Sequence, residues 1–367
     1  MIPIKSVTAR VYRIPTDAPE GDGTCAWDST TMTVIEVSGG GHTGIGWTYG
    51  APECGSIARS TLAKTIIGRD LMDVSGCWEQ MVRGVRNNGR QGAIGYAISA
   101  MDVALWDLKA RTLGVSLQAL LGSVRDTVPV YASGGFTTYS DEQLARQVDD
   151  WLDVRSTAVK IKIGESWGTR VDRDLARIVQ ARAAIGPDVA LFVDANGGYT
   201  AKQAIRLMER AVESNVSWFE EPVSSDNLAG LAEVRAAVSA DVAAGEYCGD
   251  IFMFRKLCET GAVDVLQADA TRCGGITEWL RVAAIAAAFG LELSGHCAPN
   301  LHAHVASAIP NLRHLEWFHD HDHDRIERLF FDGALKPRGG VVRLDPDAVG
   351  NGFSLRAADV KLYLVAS

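Results

Sequence analysis

Ionisable side chains end or follow seven consecutive apolar runs between residues 158 and 318 of this 367-residue sequence. Successive ones lie 20 to 32 residues apart, and they are Lys160 with Lys162, Asp194, Glu220, Glu246, Asp269, His296 and Glu316. This interval is the length of one strand plus one helix, so each side chain is expected at the same end of a different parallel strand. The spacing therefore predicts that these side chains meet at one mouth of a strand–helix array.

Three adjacent strands in this pattern end in the carboxylates Asp194, Glu220 and Glu246. Taken singly, each acid has a plain alternative role as a helix N-cap or a surface ion pair. Together in a poorly solvated mouth they repel one another unless a cation neutralises them. Oxygen ligands alone favour a hard cation, so the three acids predict a Mg²⁺ site.

Lys160 and Lys162 lie two positions apart in the run "AVKIKIG" and therefore project from the same face of a strand. The plain alternative is the solvent-facing edge of a half-buried strand. In a mouth that holds a metal ion, burial and the nearby dication both disfavour the ammonium form. We therefore expect a lowered lysine pKa and a role as general base.

His296 follows the seventh run, and Asp269 follows the neighbouring sixth run. A carboxylate on one imidazole nitrogen fixes the tautomer and orientation of the ring and stabilises its protonated form. The pair is therefore predicted to carry protons. Glu316 is expected to be a protonated carboxyl that donates a hydrogen bond to a developing oxyanion, with a salt bridge as its alternative role.

The elements that position these residues read as a closed α/β barrel. From Val128, eight short β-type runs alternate with amphipathic helical stretches, two of which open with the capping-box patterns Ser140-x-x-Gln143 and Thr200-x-x-Gln203. Eight such units predict parallel βαβ connections closing into a barrel of the TIM type over residues 126–330. A doubly wound open sheet is the alternative, but its usual Gly-rich phosphate turn is missing after the first run.

Residues 1–125 have a different pattern and are predicted to form an α+β capping domain. Two strand-like stretches, residues 4–15 and 31–50, flank a polar segment expected to be a loop. A long helix is predicted to end at Gly114, and residues 331–367 are expected to return to this domain.

Composition is typical of a soluble globular protein, and the cysteine pattern fits the cytoplasm. The net charge of −9 disfavours a nucleic-acid or anionic-membrane surface, and no secretory h-region or 18-residue apolar span is present. Seven irregularly spaced cysteines are expected to be reduced thiols.

These residues together resemble the mandelate racemase subgroup of the enolase superfamily. The resemblance covers nearly the whole chain and rests on "KIKIG", "VDANGGY", "FEEPV", "GEY", "QADATRCGG", "SGHCAPN" and "HLEWF". It implies a (β/α)₇β barrel with a cap, a symmetric homo-oligomer, and Mg²⁺ on the three acids. It also implies Lys162 as the base on one face of a carboxylate substrate, assisted by Lys160, with the His296–Asp269 pair on the other face and Glu316 assisting at the substrate carboxylate.

The expected chemistry is removal of a proton α to a carboxylate to give an enediolate. Loss of a β-hydroxyl then gives a 2-keto-3-deoxy acid, the outcome that the resemblance favours, so the sequence predicts a sugar-acid dehydratase, a carbon–oxygen lyase. Reprotonation from the opposite face would instead give a racemase or epimerase. A Schiff-base aldolase, a non-catalytic metal or sugar-acid binding protein, and a separate metal site in "HDHDHD" (His319 to Asp324) are weaker alternatives.

Overall fold

The computed structural model describes residues 1–319 and 322–367. The N-terminal unit is built on a four-stranded antiparallel sheet with the order β15-β1-β2-β3. Its strands are β1 (Ile4–Gly21), β2 (Ala26–Gly39), β3 (His42–Tyr49) and β15 (Leu364–Ala366). The last strand comes from the C-terminus, as predicted for a returning tail.

The hairpin between β1 and β2 is longer than the sequence suggests. The polar segment predicted as a loop is mostly strand, with Glu20 opposite Trp27 and Gly21 opposite Ala26. Only a short turn remains, in which the Asp22 carboxylate accepts the backbone N–H groups of Thr24 (2.6 Å) and Cys25 (2.7 Å). Backbone pairing across the hairpin outweighs the loop-like composition, and a bulge after Pro15 absorbs the irregularity.

Helices cover one face of this sheet. They are α1 (Glu53–Ile57), α2 (Ala63–Ile66), α3 (Val74–Gly84), α4 (Ala93–Leu113) and α5 (Leu117–Leu121), with a π-helical turn at Ala58–Leu62. Helix α4 ends as predicted at Gly114, which adopts φ 68°. It packs directly on β3, where a Cβ on Gly44 or Gly46 would lie 2.1 Å from a carbonyl oxygen of α4.

This close approach makes Gly46 a stability determinant. In Gly46→Ala the new methyl would meet the backbone of Ala100 and Ala104, which cannot move aside without shifting α4. We expect the free energy of unfolding to fall by about 1–3 kcal/mol, measured by urea denaturation. The exposed neighbour Thr43→Ala should change it by less than about 0.5 kcal/mol; equal values for the two variants would contradict the packing argument.

The second unit is a closed parallel barrel, which confirms the predicted fold class. Hydrogen bonds join each strand to the next, and the eighth strand pairs with the first. The strands are β4 (Val128–Gly134), β5 (Ala158–Lys162), β6 (Ala190–Asp194), β7 (Val216–Glu220), β8 (Asp241–Ala244), β9 (Val265–Ala268), β10 (Glu292–Gly295) and β11 (Leu312–Trp317). All eight coincide with the apolar runs of the sequence.

At least one helix follows each of the first seven strands of the barrel, which gives the (β/α)₇β order. They are α6 (Asp141–Asp153), α7 (Glu165–Gly168), α8 (Val171–Ile185), α9 (Ala201–Arg210), α10 (Leu228–Ala237), α11 (Ile251–Glu259), α12 (Gly275–Ala288) and α13 (Pro299–Ser307), with a 3₁₀ turn at Val212–Ser214. Both predicted capping boxes are present, at Ser140 and at Thr200. Helix α14 (Asp322–Phe330) follows the eighth strand. The alternative metal site in "HDHDHD" involves residues 320 and 321, which lie outside the described residues.

Aromatic side chains fill part of the barrel interior. Tyr131, Phe192 and Trp218 pack against one another and against His314, with ring centroids 4.7 to 6.5 Å apart. Burial lowers the pKa of His314 to about 3, so this imidazole is neutral. The barrel is therefore a packed core here, and polar chemistry is confined to the strand ends.

The C-terminal segment holds the two units together. It contains β12 (Phe331–Asp332), β13 (Val341–Val342), β14 (Ser354–Leu355) and a 3₁₀ turn (Asp359–Tyr363), and β13 pairs with β4 of the barrel. Asn351 donates its backbone N–H to buried Asp107 of α4 (2.7 Å). We retain as a proposal the division into residues 1–125, 126–330 and 331–367. No helix of the described residues is both long and apolar enough to cross a membrane.

A buried carboxylate fixes the cap over the mouth of the barrel. Glu327 of α14 accepts hydrogen bonds from Trp47 Nε1 (2.9 Å) and Tyr49 Oη (3.2 Å) of β3, and from Asn300 Nδ2 (2.6 Å) of α13. These hydrogen bonds join β3 of the N-terminal unit to α13 and α14 of the barrel unit, and so hold the cap over the strand ends.

Candidate active site

The strand ends bring the sequence-predicted residues together under the cap. Lys162, Asp194 and Glu220 are the last residues of β5, β6 and β7, and they pair side by side in the sheet. The others lie on or just after the next four strands, at Glu246, Asp269, His296 and Glu316. All are buried, which excludes the solvent-facing strand edge for the two lysines and the surface ion pair for the three acids, whereas Glu316 does form the ion pair named as its alternative role, with Lys160.

Asp194, Glu220 and Glu246 form a compact group of acids. Each offers a carboxylate oxygen within 4.8 Å of those of the other two. Burial and the neighbouring Asp194 raise the pKa of Glu220 well above its ordinary value, since two buried carboxylates resist sharing one site as anions. Buried Oε2 of Glu246 accepts no hydrogen bond. This set of closely spaced oxygen donors fits a hard divalent cation.

The two lysines occupy different positions around the acids. Lys160 is fully buried, with Nζ 2.6 Å from Glu220 Oε1 and 2.7 Å from Glu316 Oε1. Lys162 is 6% exposed, lines the cavity and places Nζ 2.5 Å from Asp194 Oδ2. Only Lys162 therefore faces the space a substrate would occupy.

The pKa of each lysine is raised in the protein alone, whereas the expected lowering applies to a mouth that holds a metal ion and stays a prediction. Burial disfavours the ammonium form of Lys162, but the charge of Asp194 outweighs it and raises the pKa above the ordinary value. The same balance raises the pKa of Lys160, through Glu220 and Glu316. A dication bound to these carboxylates would oppose this effect, because it repels the ammonium charge and attracts the carboxylates.

The His296–Asp269 pair has the predicted geometry. Nδ1 of His296 lies 2.9 Å from Asp269 Oδ2, while Asp269 Oδ1 accepts the N–H and hydroxyl of Thr271, both at 2.7 Å. Burial tends to raise the pKa of Asp269, but the hydrogen bond from His296 and the charges of His296 and Arg272 lower it below the ordinary range. Nε2 of His296 is directed toward the acids, 3.2 Å from Glu246 Oε2.

Glu316 is a carboxylate, which corrects the expectation of a protonated carboxyl. It accepts hydrogen bonds from Ser133 Oγ (2.7 Å) and the Cys297 backbone N–H (3.1 Å), and it contacts Lys160. Burial tends to raise the pKa of Glu316, but Lys160 and His296 lower it well below the ordinary value. Ser133, the Cys297 N–H and Lys160 donate to the anion and stabilise it.

Several residues at the site were missed by the sequence analysis. Arg272 lies with Nη1 3.4 Å from Glu246 Oε1 and Nε 3.4 Å from Asp269 Oδ2. Its guanidinium is 5.8 Å from the Tyr96 ring centroid and 5.5 Å from that of Tyr247. The signal available was its place three residues after Asp269 in "QADATRCGG".

Cys297 is a second missed residue, with Sγ 3.2 Å from His296 Nε2. His296, Cys297 and Glu316 also offer donor atoms within 4.8 Å of one another. The three acids are the better site for a hard cation, because all their donor atoms are carboxylate oxygens, whereas this second set includes a thiol and an imidazole.

A cavity of about 450 Å³ connects these groups to the cap. Its lining includes Lys162, Glu246, Arg272 and His296 from the barrel, and residues of the β1–β2 hairpin and of residues 49–52 from the cap. The size suits a small ligand. Lys162 contacts Asp194 at one end of the acid triad, and His296 contacts Glu246 at the other. The arrangement can exchange protons with one bound molecule from two directions.

Known proteins share this architecture. Residues 8–122 match the family model "Mandelate racemase / muconate lactonizing enzyme, N-terminal domain", and residues 143–360 match "Enolase C-terminal domain-like". A mandelate racemase/muconate lactonizing enzyme-like protein from Rubrobacter xylanophilus superposes with a TM-score of 0.95 at 43% identity, over 99% of this chain and 100% of its own.

Two characterised relatives are similar over most of the chain. D-galactarolactone cycloisomerase of Agrobacterium fabrum is 33% identical over 80% of this chain and 78% of its own length. L-talarate/galactarate dehydratase of Salmonella typhimurium is 31% identical over 86% of this chain and 78% of its own. A crystal structure of that dehydratase with Mg and L-lyxarohydroxamate superposes with a TM-score of 0.90 at 27% identity, over 99% of this chain and 93% of its own. With both halves of the chain matched in sequence and in fold, the protein belongs to the mandelate racemase subgroup of the enolase superfamily.

Proposed function

We propose that the protein is a Mg²⁺-dependent dehydratase of sugar acids, removing the proton α to a carboxylate and then a β-hydroxyl. The observation that carries this proposal is the placement of Lys162 and His296 at opposite ends of one buried acid triad in one cavity. The similarity to a dehydratase crystallised with Mg supports it.

Asp194, Glu220 and Glu246 would hold the metal ion. When bound there, Mg²⁺ supplies Lewis-acid stabilisation to the oxygens of the substrate carboxylate and offsets the negative charge of the acids beside Lys162. Lys160 touches Glu220 and Glu316 but does not line the cavity, so we assign it a positioning role for these carboxylates. Glu316 in turn fixes the backbone of Cys297, the residue after His296.

The proposed reaction divides two proton transfers between the carriers. Lys162 takes the C2 proton, and the C–H electron pair forms the enediolate. His296, oriented by Asp269, gives a proton to the C3 hydroxyl as the C3–O bond breaks and water leaves. The resulting enol gains a proton at C3 and loses the proton of its C2 hydroxyl, which gives the 2-keto-3-deoxy acid, so all atoms balance without an added oxidant or reductant.

A racemase or epimerase is the second candidate, because carriers at both ends of the triad also permit reprotonation from the opposite face. The two functions differ in product. The test is a screen of aldonic and aldaric acids with Mg²⁺ in D₂O, with keto-acid formation and α-deuterium followed together. We expect keto acid from at least one acid and none after chelation, with recovery on adding Mg²⁺. Deuterium uptake with inversion and no keto acid would identify a racemase, and neither signal with any acid would contradict both functions.

The proposal extends to the cellular location, the binding partner and the oligomeric state of the enzyme. A reducing cytoplasm suits its seven free cysteines, six of which are buried. The partner is a small-molecule carboxylate, and the family resemblance supports a symmetric homo-oligomer.

A further inference from the structure

The far end of the cavity is formed by the cap. Asp22 and Trp27 of the β1–β2 hairpin, Thr30 of β2, and Tyr49 at the end of β3 line it. Thr30 lies opposite buried Ile14 in the hairpin, so its side chain projects from the face that packs toward the barrel. A substrate whose reacting carboxylate lies at the acid triad would extend its other end into this region.

The basic side chains on the barrel side of the cavity are already paired with carboxylates of the barrel. Among the described lining residues the basic ones are Lys162, Arg272 and His296, and each contacts a carboxylate of the barrel. Arg272 contacts both Glu246 and Asp269. Arg13 of the hairpin is exposed and donates to Ser29 Oγ; it is not among the lining residues, although Ser29 and Thr31, the residue opposite Arg13 in the hairpin, are.

The charged group that the cap presents is negative. Asp22 is half-buried, lines the cavity and is fixed in the turn by the N–H groups of Thr24 and Cys25. A second carboxylate on the substrate would meet this fixed anion, in a region where the described lining residues of the cap supply no cation. Like charges brought together in a partly buried site oppose binding.

An aromatic wall stands beside Asp22. Trp27 meets Phe136 edge-on with ring centroids 5.8 Å apart, and Phe136 stacks on Phe318 at 6.4 Å. The indole is held in place by a hydrogen bond from Nε1 to Glu20 Oε2 (2.9 Å). Such a wall suits the C–H faces of a polyol chain or a terminal methyl group.

We propose that this region is a subsite for an uncharged chain end, so that the substrate is a monocarboxylate sugar acid, an aldonate or deoxyaldonate, and aldarates are rejected. The inference rests on the proposed function and narrows its substrate class. Aldarates are rejected because the Asp22 carboxylate repels their second carboxylate, while the aromatic wall favours the uncharged end of an aldonate.

The test uses the wild-type enzyme with Mg²⁺ and a panel in which each hexonate is paired with the hexarate of the same configuration, plus the 6-deoxyhexonates. For the best hexonate or deoxyhexonate we expect kcat/KM at least about 100-fold above that of the matched hexarate. A hexarate used as well as its hexonate partner would overturn the inference and leave the dehydratase function standing. Turnover and α-deuterium uptake absent for every acid would overturn both.

Two isosteric variants test the charge itself. Asp22→Asn keeps the turn acceptor but removes the charge, and we expect it to narrow the preference for hexonate over hexarate by about tenfold. Asp17→Asn is the matched control, because exposed Asp17 pairs with Arg325 and does not line the cavity. The control should leave the preference unchanged. The same preference in Asp22→Asn as in the wild type would overturn the role of the cap carboxylate.

Discussion

Replacing either proton carrier should lower kcat by about 10²- to 10⁴-fold, the range that positioned general acids and bases contribute. The two variants are Lys162→Ala and His296→Asn. They should differ in the partial reaction that survives. His296→Asn retains Lys162 and should still exchange the α-proton with D₂O without releasing water, whereas Lys162→Ala should lose exchange and dehydration together. Keto-acid assays and proton NMR of the recovered substrate separate these outcomes.

Two surface variants provide matched controls for these changes. Lys256→Ala, on the exposed face of α11, and His42→Asn, at the exposed start of β3, should keep wild-type rates. Full activity in Lys162→Ala or in His296→Asn would remove that residue from the proposed mechanism. Exchange that persists in Lys162→Ala but disappears in His296→Asn would reverse the assigned roles.

Removing one charge from the acid triad should abolish activity by weakening Mg²⁺ binding. In Glu246→Gln the buried donor oxygen that accepts no hydrogen bond in the protein becomes part of an amide, a poorer ligand for a hard cation. We expect Mg²⁺ affinity to fall at least about 100-fold by isothermal titration, and kcat to fall with it.

The fold should survive this substitution. Asp194, Glu220 and Glu246 crowd three carboxylates into one buried space, so neutralising one relieves repulsion in the metal-free protein. Thermal unfolding without Mg²⁺ should therefore occur at the wild-type temperature or above it. Glu233→Gln, on the exposed face of α10, should bind Mg²⁺ like the wild type. Unchanged Mg²⁺ affinity in Glu246→Gln would exclude this carboxylate as a ligand.

The strand-end pattern could be predicted from the sequence because it depends on short-range rules. A strand that ends at Lys162, Asp194 or Glu220 delivers that residue to the same edge as its neighbours, whatever the helices between them contain. The capping boxes and the end of α4 at Gly114 are equally local. These features place the site without any knowledge of tertiary contacts.

Protonation states could not be predicted in the same way, because they depend on distances between strands. Glu316 was expected to be protonated, whereas its contacts favour the anion, because the sequence does not show that Ser133 and Cys297 both donate to it. The sequence also does not show that Asp194 lies 2.5 Å from Lys162, a contact that raises the lysine pKa in the protein alone.

The cap end of the site also could not be predicted from the sequence. The segment expected to be a loop is a paired hairpin, in which Glu20 lies opposite Trp27. This pairing brings Asp22 and Trp27 to the lining of the cavity. The contacts of Arg272 with Glu246, Tyr96 and Tyr247 join it to other segments and could not be predicted from the sequence. Substrate class is decided by such contacts, which bring distant parts of the chain together.

The central claim is that three neighbouring strand ends hold one cation between two proton carriers. Crystals grown with Mn²⁺ in place of Mg²⁺ test it directly, through the anomalous scattering of the metal. We expect a single strong peak in contact with carboxylate oxygens of Asp194, Glu220 and Glu246, with Lys162 Nζ and His296 Nε2 on opposite sides of the ligand space next to it. A peak on other residues, or these three carboxylates turned toward different cavities, would contradict the claim.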